Sequence, residues 1–140
     1  GNLGRGQAQE VVAGQLPVAT IDEVKNFDGV LIDTREANRY AGRKERLDLK
    51  AGHIPGAVSV PTREILNPDN TFRPAEEIRA TFEKVGVTDP NNVIVYSGSG
   101  VHSAQAIAAM HHAGLPGAAL YLGGWSQWCA DRNNPVERSD

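Results

Sequence analysis

The run Val93-Ile94-Val95-Tyr96 is apolar at every position and is followed at once by Ser97-Gly98-Ser99-Gly100. An uninterrupted apolar run this short, bounded by turn residues, is a strand covered on both faces, as in a parallel sheet between helices. Val30-Leu31-Ile32-Asp33 has the same character after Gly29, and further extended pieces fall at Pro17-Val18-Ala19, Ala57 to Val60 and Ala118 to Leu122. Helix signals lie between them. Thr20 with Glu23 three residues on forms a capping box for a short helix reaching about Phe27. Arg35 to Ala41 reads as a second helix. Pro74 opens a third, in which Ile78, Phe82 and Val85 recur at helical spacing before Gly86. Ser103 to Ala113 carries Ala104, Ile107 and Ala108 on one face and is capped by Gly114. Gly124-Trp125 opens a last helix that Asn133 to Pro135 terminates. Strands alternating with helices imply right-handed crossovers, so the expected fold class is α/β, an open parallel sheet of about five strands with helices on both faces.

A chain of 140 residues suits one domain. Residues 1–16, rich in glycine and without apolar period, read as a flexible lead-in or interdomain linker, 17–137 as the domain and 138–140 as a tail. Gly42 to Lys50, crowded with charge, reads as a loop, and Gly52-His53-Ile54-Pro55-Gly56 as a turn. A formal net charge of -3 speaks against nucleic-acid or membrane partners. No apolar run approaches the ~18 residues of a membrane span. The one cysteine, Cys129, has no partner for an internal disulfide, and the first residues lack a secretory signal, so a soluble cytoplasmic protein is expected.

Ligands of open α/β sheets bind beyond the carboxyl ends of the strands, which directs attention to Ser97-Gly98-Ser99-Gly100-Val101-His102. Gly98 and Gly100 let the backbone curl so that successive N–H groups point inward, and the following helix adds its positive end, which together make an anion cradle. The plainer alternative is a tight strand-to-helix turn, but two glycines and two serines exceed what a turn requires. Three known motifs fail here. A dinucleotide fingerprint lacks its third glycine at Ser103 and an acid after the next strand; a nucleophile elbow lacks its flanking glycines; a P-loop needs Gly-Lys-Ser/Thr where Gly100-Val101-His102 stands.

The combination of Leu31-Ile32-Asp33-Thr34-Arg35, Arg39-Tyr40, Gly52-His53-Ile54-Pro55-Gly56-Ala57, Val93 to His102 and Leu122-Gly123-Gly124-Trp125 with Trp128 resembles the rhodanese family. The likeness is greatest to the C-terminal, catalytic half of tandem thiosulfate and 3-mercaptopyruvate sulfurtransferases, and it covers about Val18 to Val136. It implies a rhodanese-like fold and a loop whose first residue, a cysteine in the family, takes sulfane sulfur as a persulfide and passes it to a thiol or cyanide acceptor. Ser97 stands at that cysteine. An activated thiolate has a pKa of about 3.5 to 7.5, whereas a serine hydroxyl stays protonated and oxygen carries no transferable persulfide. The chain is therefore expected to be inactive as written, whether Ser97 is a deliberate replacement in an active enzyme or native to a pseudo-enzyme. A different class remains beside these: a non-catalytic anion-binding or partner-docking module.

By the same resemblance Ser99 is a catalytic position, working in mercaptopyruvate enzymes with an acid and a histidine from a preceding homologous domain. Gly98, Ser99, Gly100, Val101 and His102 form the cradle, and Arg39 and Arg46 hold the anionic end of the donor. Arg35 is expected to brace the strand end with Asp33. His53 reads as structural, and His102, where the family has threonine, as a group that bonds the cradle or caps the helix. Cys129, between tryptophans in the last helix, reads as a small packed hydrophobe rather than a substitute nucleophile. His111 and His112 are adjacent on a helix and point apart, so no metal and no cofactor is expected.

Overall fold

The computed structural model describes residues 17–36, 52–69, 71–98, 101–131 and 133–137, with Val101 by its backbone alone. Five strands, β1 (Val18–Ala19), β2 (Val30–Asp33), β3 (Val58–Ser59), β4 (Val93–Tyr96) and β5 (Ala119–Tyr121), form one sheet in the order β1-β5-β4-β2-β3. Every pairing is parallel. The helices are α1 (Ile21–Lys25), α2 (Ala75–Lys84), α3 (Val101–His112) and α4 (Gly124–Ala130). The expected α/β class and open parallel sheet of five strands are thus present.

Each central strand feeds two cores, because successive side chains leave opposite faces of a sheet. Ile32, Val93 and Val95 pack with Ile78 and Phe82 of α2 and with Ala106, Ile107 and Met110 of α3. Leu31, Ile94 and Tyr96 pack on the other side with Val24 of α1 and with Trp125, Trp128 and Cys129 of α4. All four residues of β4 are buried, which is why its sequence shows no alternation.

Local signals act as read at several points. Thr20 caps α1 by accepting from the Glu23 N–H at 3.2 Å, while the Glu23 carboxylate accepts from the Thr20 N–H at 2.8 Å. Gly86 and Gly114 close α2 and α3 with φ of 100° and 81°. Four expectations need correction. Arg35 and Glu36 are not helical, because the Asp33 carboxylate accepts the Arg35 N–H at 2.8 Å and turns the chain; residues 37–41 and the loop 42–50 lie outside the described residues, as do 1–16 and 138–140. Helix α3 begins at Val101, two residues before the expected Ser103, so Val101 and His102 belong to its first turn. It also buries Ala106 to Met110 continuously, where one apolar face was expected, since small alanines let it lie deep against the sheet. Last, α4 ends at Ala130, short of the Asn133 to Pro135 stop. Two short 3-10 turns, Thr62–Glu64 and Pro90–Asn92, join the elements without an apolar periodicity that would have announced them. Among the described residues no helix is long and apolar enough to cross a membrane.

Candidate active site

Strands β2 and β4 are neighbours at the centre of the sheet, and the residues leaving their carboxyl ends are tied together. The backbone N–H and the hydroxyl of Thr34 both donate to the Tyr96 carbonyl at 3.0 Å. Ser97 follows directly. It is 1% exposed, and its Oγ lies 3.2 Å from the Oγ of Ser103, itself fully buried in the first turn of α3. The first turn of a helix offers N–H groups with no intrahelical acceptor and a positive dipole end, so the group at position 97 sits where negative charge is favoured.

The loop is held from its other side by α4. The Trp125 N–H donates to the Ser97 carbonyl at 2.8 Å and the Ser126 N–H to the Gly98 carbonyl at 3.2 Å. This close approach requires Gly124, whose φ is 58°: an added Cβ would collide with the Ser97 carbonyl oxygen and lie 3.0 Å from that of Gly98. Only glycine meets both demands at low cost. Gly98 differs, since a Cβ there would meet none of the described residues within 4 Å and its φ is not positive. Gly98 itself stays out of the left-handed region, and the curl expected of Gly98 and Gly100 together falls on residues 99 and 100, which lie outside the described residues.

A buried polar cluster braces this arrangement. Arg35 lies 2.9 Å from the Asp33 carboxylate through a terminal nitrogen, with side chains 5% and 0% exposed. It also donates to the Gly52 carbonyl, and its guanidinium carbon stands 4.5 Å from the centroid of the Trp125 ring. Arg35 therefore links the end of β2, the Gly52 turn and the helix that grips Ser97; of these contacts the sequence suggested only the one with Asp33. The Tyr96 hydroxyl accepts from the Ile54 N–H at 3.1 Å and bonds to Asp33. Burial, and then the negative charge of Asp33, push the Tyr96 phenol well above its ordinary range. His53 is structural, as expected: it exchanges backbone hydrogen bonds with Glu137 at 2.8 Å in both directions, and its Nε2 is 3.5 Å from the Glu137 carboxylate.

Of the residues singled out in the sequence, Ser97 and Gly98 are brought to the carboxyl edge of the sheet beside α3. His102 is exposed, and its Nδ1 is 3.3 Å from Gln105 Oε1, a contact along its own helix. Cys129 is buried in α4 among the second core, with Sγ 3.8 Å from the Ser126 carbonyl. Arg39, Arg46, Ser99, Gly100 and the side chain of Val101 lie outside what is described. Sequence reasoning missed Ser103, treated only as a missing third glycine, and the separate duty of Gly124. A hydroxyl in helical register with the apolar Ala106, Ile107 and Met110 was the available signal for the former, and a Gly-Gly pair before a tryptophan for the latter.

Residues 18–131 match the family profile described as Rhodanese-like domain. SseB of Mycobacterium tuberculosis, named as a putative thiosulfate sulfurtransferase, is 36% identical over 129 residues, covering 92% of this chain and 45% of that protein. The 3-mercaptopyruvate sulfurtransferase of Escherichia coli K12 is 37% identical over 109 residues, 76% of this chain and 38% of its own length. This chain thus spans less than half of these relatives. Among solved structures, a persulfide state of EanB with ergothioneine superposes with a TM-score of 0.78 at 28% identity, covering 88% of this chain and 32% of EanB. The matched segment runs from β1 through the end of α4 and takes in the Ser97 loop and every residue that braces it, and on that ground the chain belongs to the rhodanese-like domain family.

Proposed function

We propose that this domain is built for sulfane-sulfur transfer at position 97, and that with Ser97 in place it binds a small sulfur oxyanion without turning it over. The observation that carries the reading is the seat of Ser97: buried at the end of a central strand, at the start of α3, inside the family-matched segment. A cysteine there would be a thiolate favoured by the helix end. Attack of its sulfur on the outer sulfur of thiosulfate forms the enzyme S–S bond, breaks the donor S–S bond and releases sulfite with the bonding pair. With 3-mercaptopyruvate the C–S bond breaks instead, and the electron pair leaves on carbon as the enolate of pyruvate, which then takes a proton. Cyanide or a thiolate acceptor next takes the outer sulfur and restores the thiolate. A serine alkoxide would be far less accessible at neutral pH, and an O–S adduct is not a persulfide.

In this reading Ser99 and the amides of 98–102 line the anion cradle, Arg39 and Arg46 hold the donor's charged end, and no cofactor or metal takes part. A preceding homologous domain is a natural partner, and the cytoplasm, where thiol acceptors are reduced, is a natural location. The second reading, an anion-binding or partner-docking module, is favoured by the Ser97–Ser103 hydroxyl pair, which leaves the oxygen at position 97 well accommodated. Mass spectrometry of the Ser97→Cys variant after thiosulfate or mercaptopyruvate treatment tests the first: a gain of one sulfur atom, absent from the parent chain, is expected. No gain with either donor, while amide signals of Gly98 to His102 still move with thiosulfate, would favour the binding module.

A further inference from the structure

We infer that Ser103 is a positioning residue for the group at position 97: its hydroxyl orients that of Ser97 in this chain and donates to a thiolate when cysteine stands there. The functional meaning rests on the reading of position 97 given above. The local argument stands on the structure. Ser103 is fully buried on a helix whose next buried residues are Ala106, Ile107, Ala108, Ala109 and Met110. A hydroxyl in such surroundings costs stability unless it is hydrogen-bonded, and the Ser97 Oγ at 3.2 Å is a partner on the side of the loop. Both ends of the contact are fixed. Ser103 is anchored in α3, and Ser97 is held through its carbonyl by the Trp125 N–H and through the chain by β4.

Between two hydroxyls either oxygen can donate. A thiolate only accepts, so with cysteine ionised at position 97 Ser103 can enter this contact only as the donor, and the bond becomes charge-assisted, the stronger kind. Helix-end amides favour an anion at any such loop, but this donor is a side chain six residues downstream and can be removed alone.

The test uses the full chain carrying Ser97→Cys, with and without Ser103→Ala, and with Cys129→Ala in both proteins so that a single thiol titrates. The pKa of the thiol introduced at position 97 is read from thiolate absorbance and from the pH dependence of iodoacetamide alkylation. Loss of the Ser103 hydroxyl is expected to raise that pKa by about one unit or more. Ser103→Thr and Ser103→Val, alike in volume, give the same comparison should the alanine variant fail to fold, with the lower pKa expected for threonine. A pKa equal within about 0.3 unit across either pair overturns the inference. A shifted pKa with no persulfide on Ser97→Cys upholds the role of Ser103 and removes the sulfurtransferase reading. Persulfide formation with an unshifted pKa does the reverse.

Discussion

Tyr96 contributes more than apolar bulk to the second core. Its hydroxyl joins the Ile54 amide to Asp33, so Tyr96→Phe leaves a buried N–H and a carboxylate oxygen short of a partner. Such a loss costs about 1 to 3 kcal/mol, read as a lower urea midpoint at neutral pH. Its titration sets a direction with pH. Burial raises the Tyr96 phenol well above its value in the unfolded chain and raises that of Tyr121 to about 12. Between the unfolded and folded values the native state holds more protons. Stability is therefore fully present below pH ~10 and is lost as pH rises through the folded values. Thermal melts from pH 8 to 12 should show a fall beginning near pH 10 that is shallower in Tyr96→Phe; equal slopes would mean that other groups drive alkaline unfolding. Two glycines of the site make a second pair of opposites. Gly124→Ala forces a side chain into the left-handed region and against the Ser97 carbonyl, and a cost above about 2 kcal/mol is expected. Gly98→Ala, whose Cβ meets none of the described residues, should lie within about 0.5 kcal/mol of the parent.

At the scale of elements, the site is a junction of three segments that one guanidinium holds together. Arg35 contacts the end of β2, the Gly52 turn and the α4 tryptophan, and its charge partner Asp33 is fully buried. Arg35→Ala strands that carboxylate without its cation, at a cost of about 3 to 5 kcal/mol. It should also loosen α4 against Ser97, so amide exchange at Trp125 and Ser126 should quicken beyond what the global loss explains. If only the global rate changes, Arg35 is a fold residue and nothing more. The sequence made β2, β4 and α2 legible, because burial on two faces leaves an uninterrupted apolar run and burial of one helix face leaves a regular apolar spacing. The start of α3 is not legible in the same way. The Gly-Ser run points to a loop that includes Val101 and His102, whereas the helix begins as soon as Gly100 is passed. The non-helical Arg35 is hidden for a related reason: a side-chain carboxylate two residues back captures its amide, a competition that propensity does not register. The pairing of Arg35 with Asp33 is readable because the two residues leave one strand end together. The Ser97–Ser103 contact is not, since it depends on how deeply α3 sits.

Across this chain, a net charge of -3 offers no long-range attraction to an anionic sulfur donor, so what selection this domain makes falls to local groups such as those of the loop and Arg39. Gly98 places no charge there. Thiosulfate, a dianion, then lacks charge-assisted hydrogen bonds that contribute roughly 1.5 to 3 kcal/mol each. Mercaptopyruvate presents a single carboxylate, which a guanidinium such as that of Arg39 matches as a fork, and asks less of the loop. The Ser97→Cys variant should accordingly prefer mercaptopyruvate in kcat/KM, and Arg39→Ala should cost it more than about 1 kcal/mol in transition-state binding. Because a Cβ at 98 meets none of the described residues within 4 Å, Gly98→Lys tests the charge argument. Added to Ser97→Cys, it should raise kcat/KM for thiosulfate about tenfold or more while leaving mercaptopyruvate within about threefold, and the gain should shrink as salt rises. A thiosulfate preference already present with glycine at 98, or a lysine effect equal for both donors, would show that selectivity is set elsewhere than by charge at this edge of the sheet.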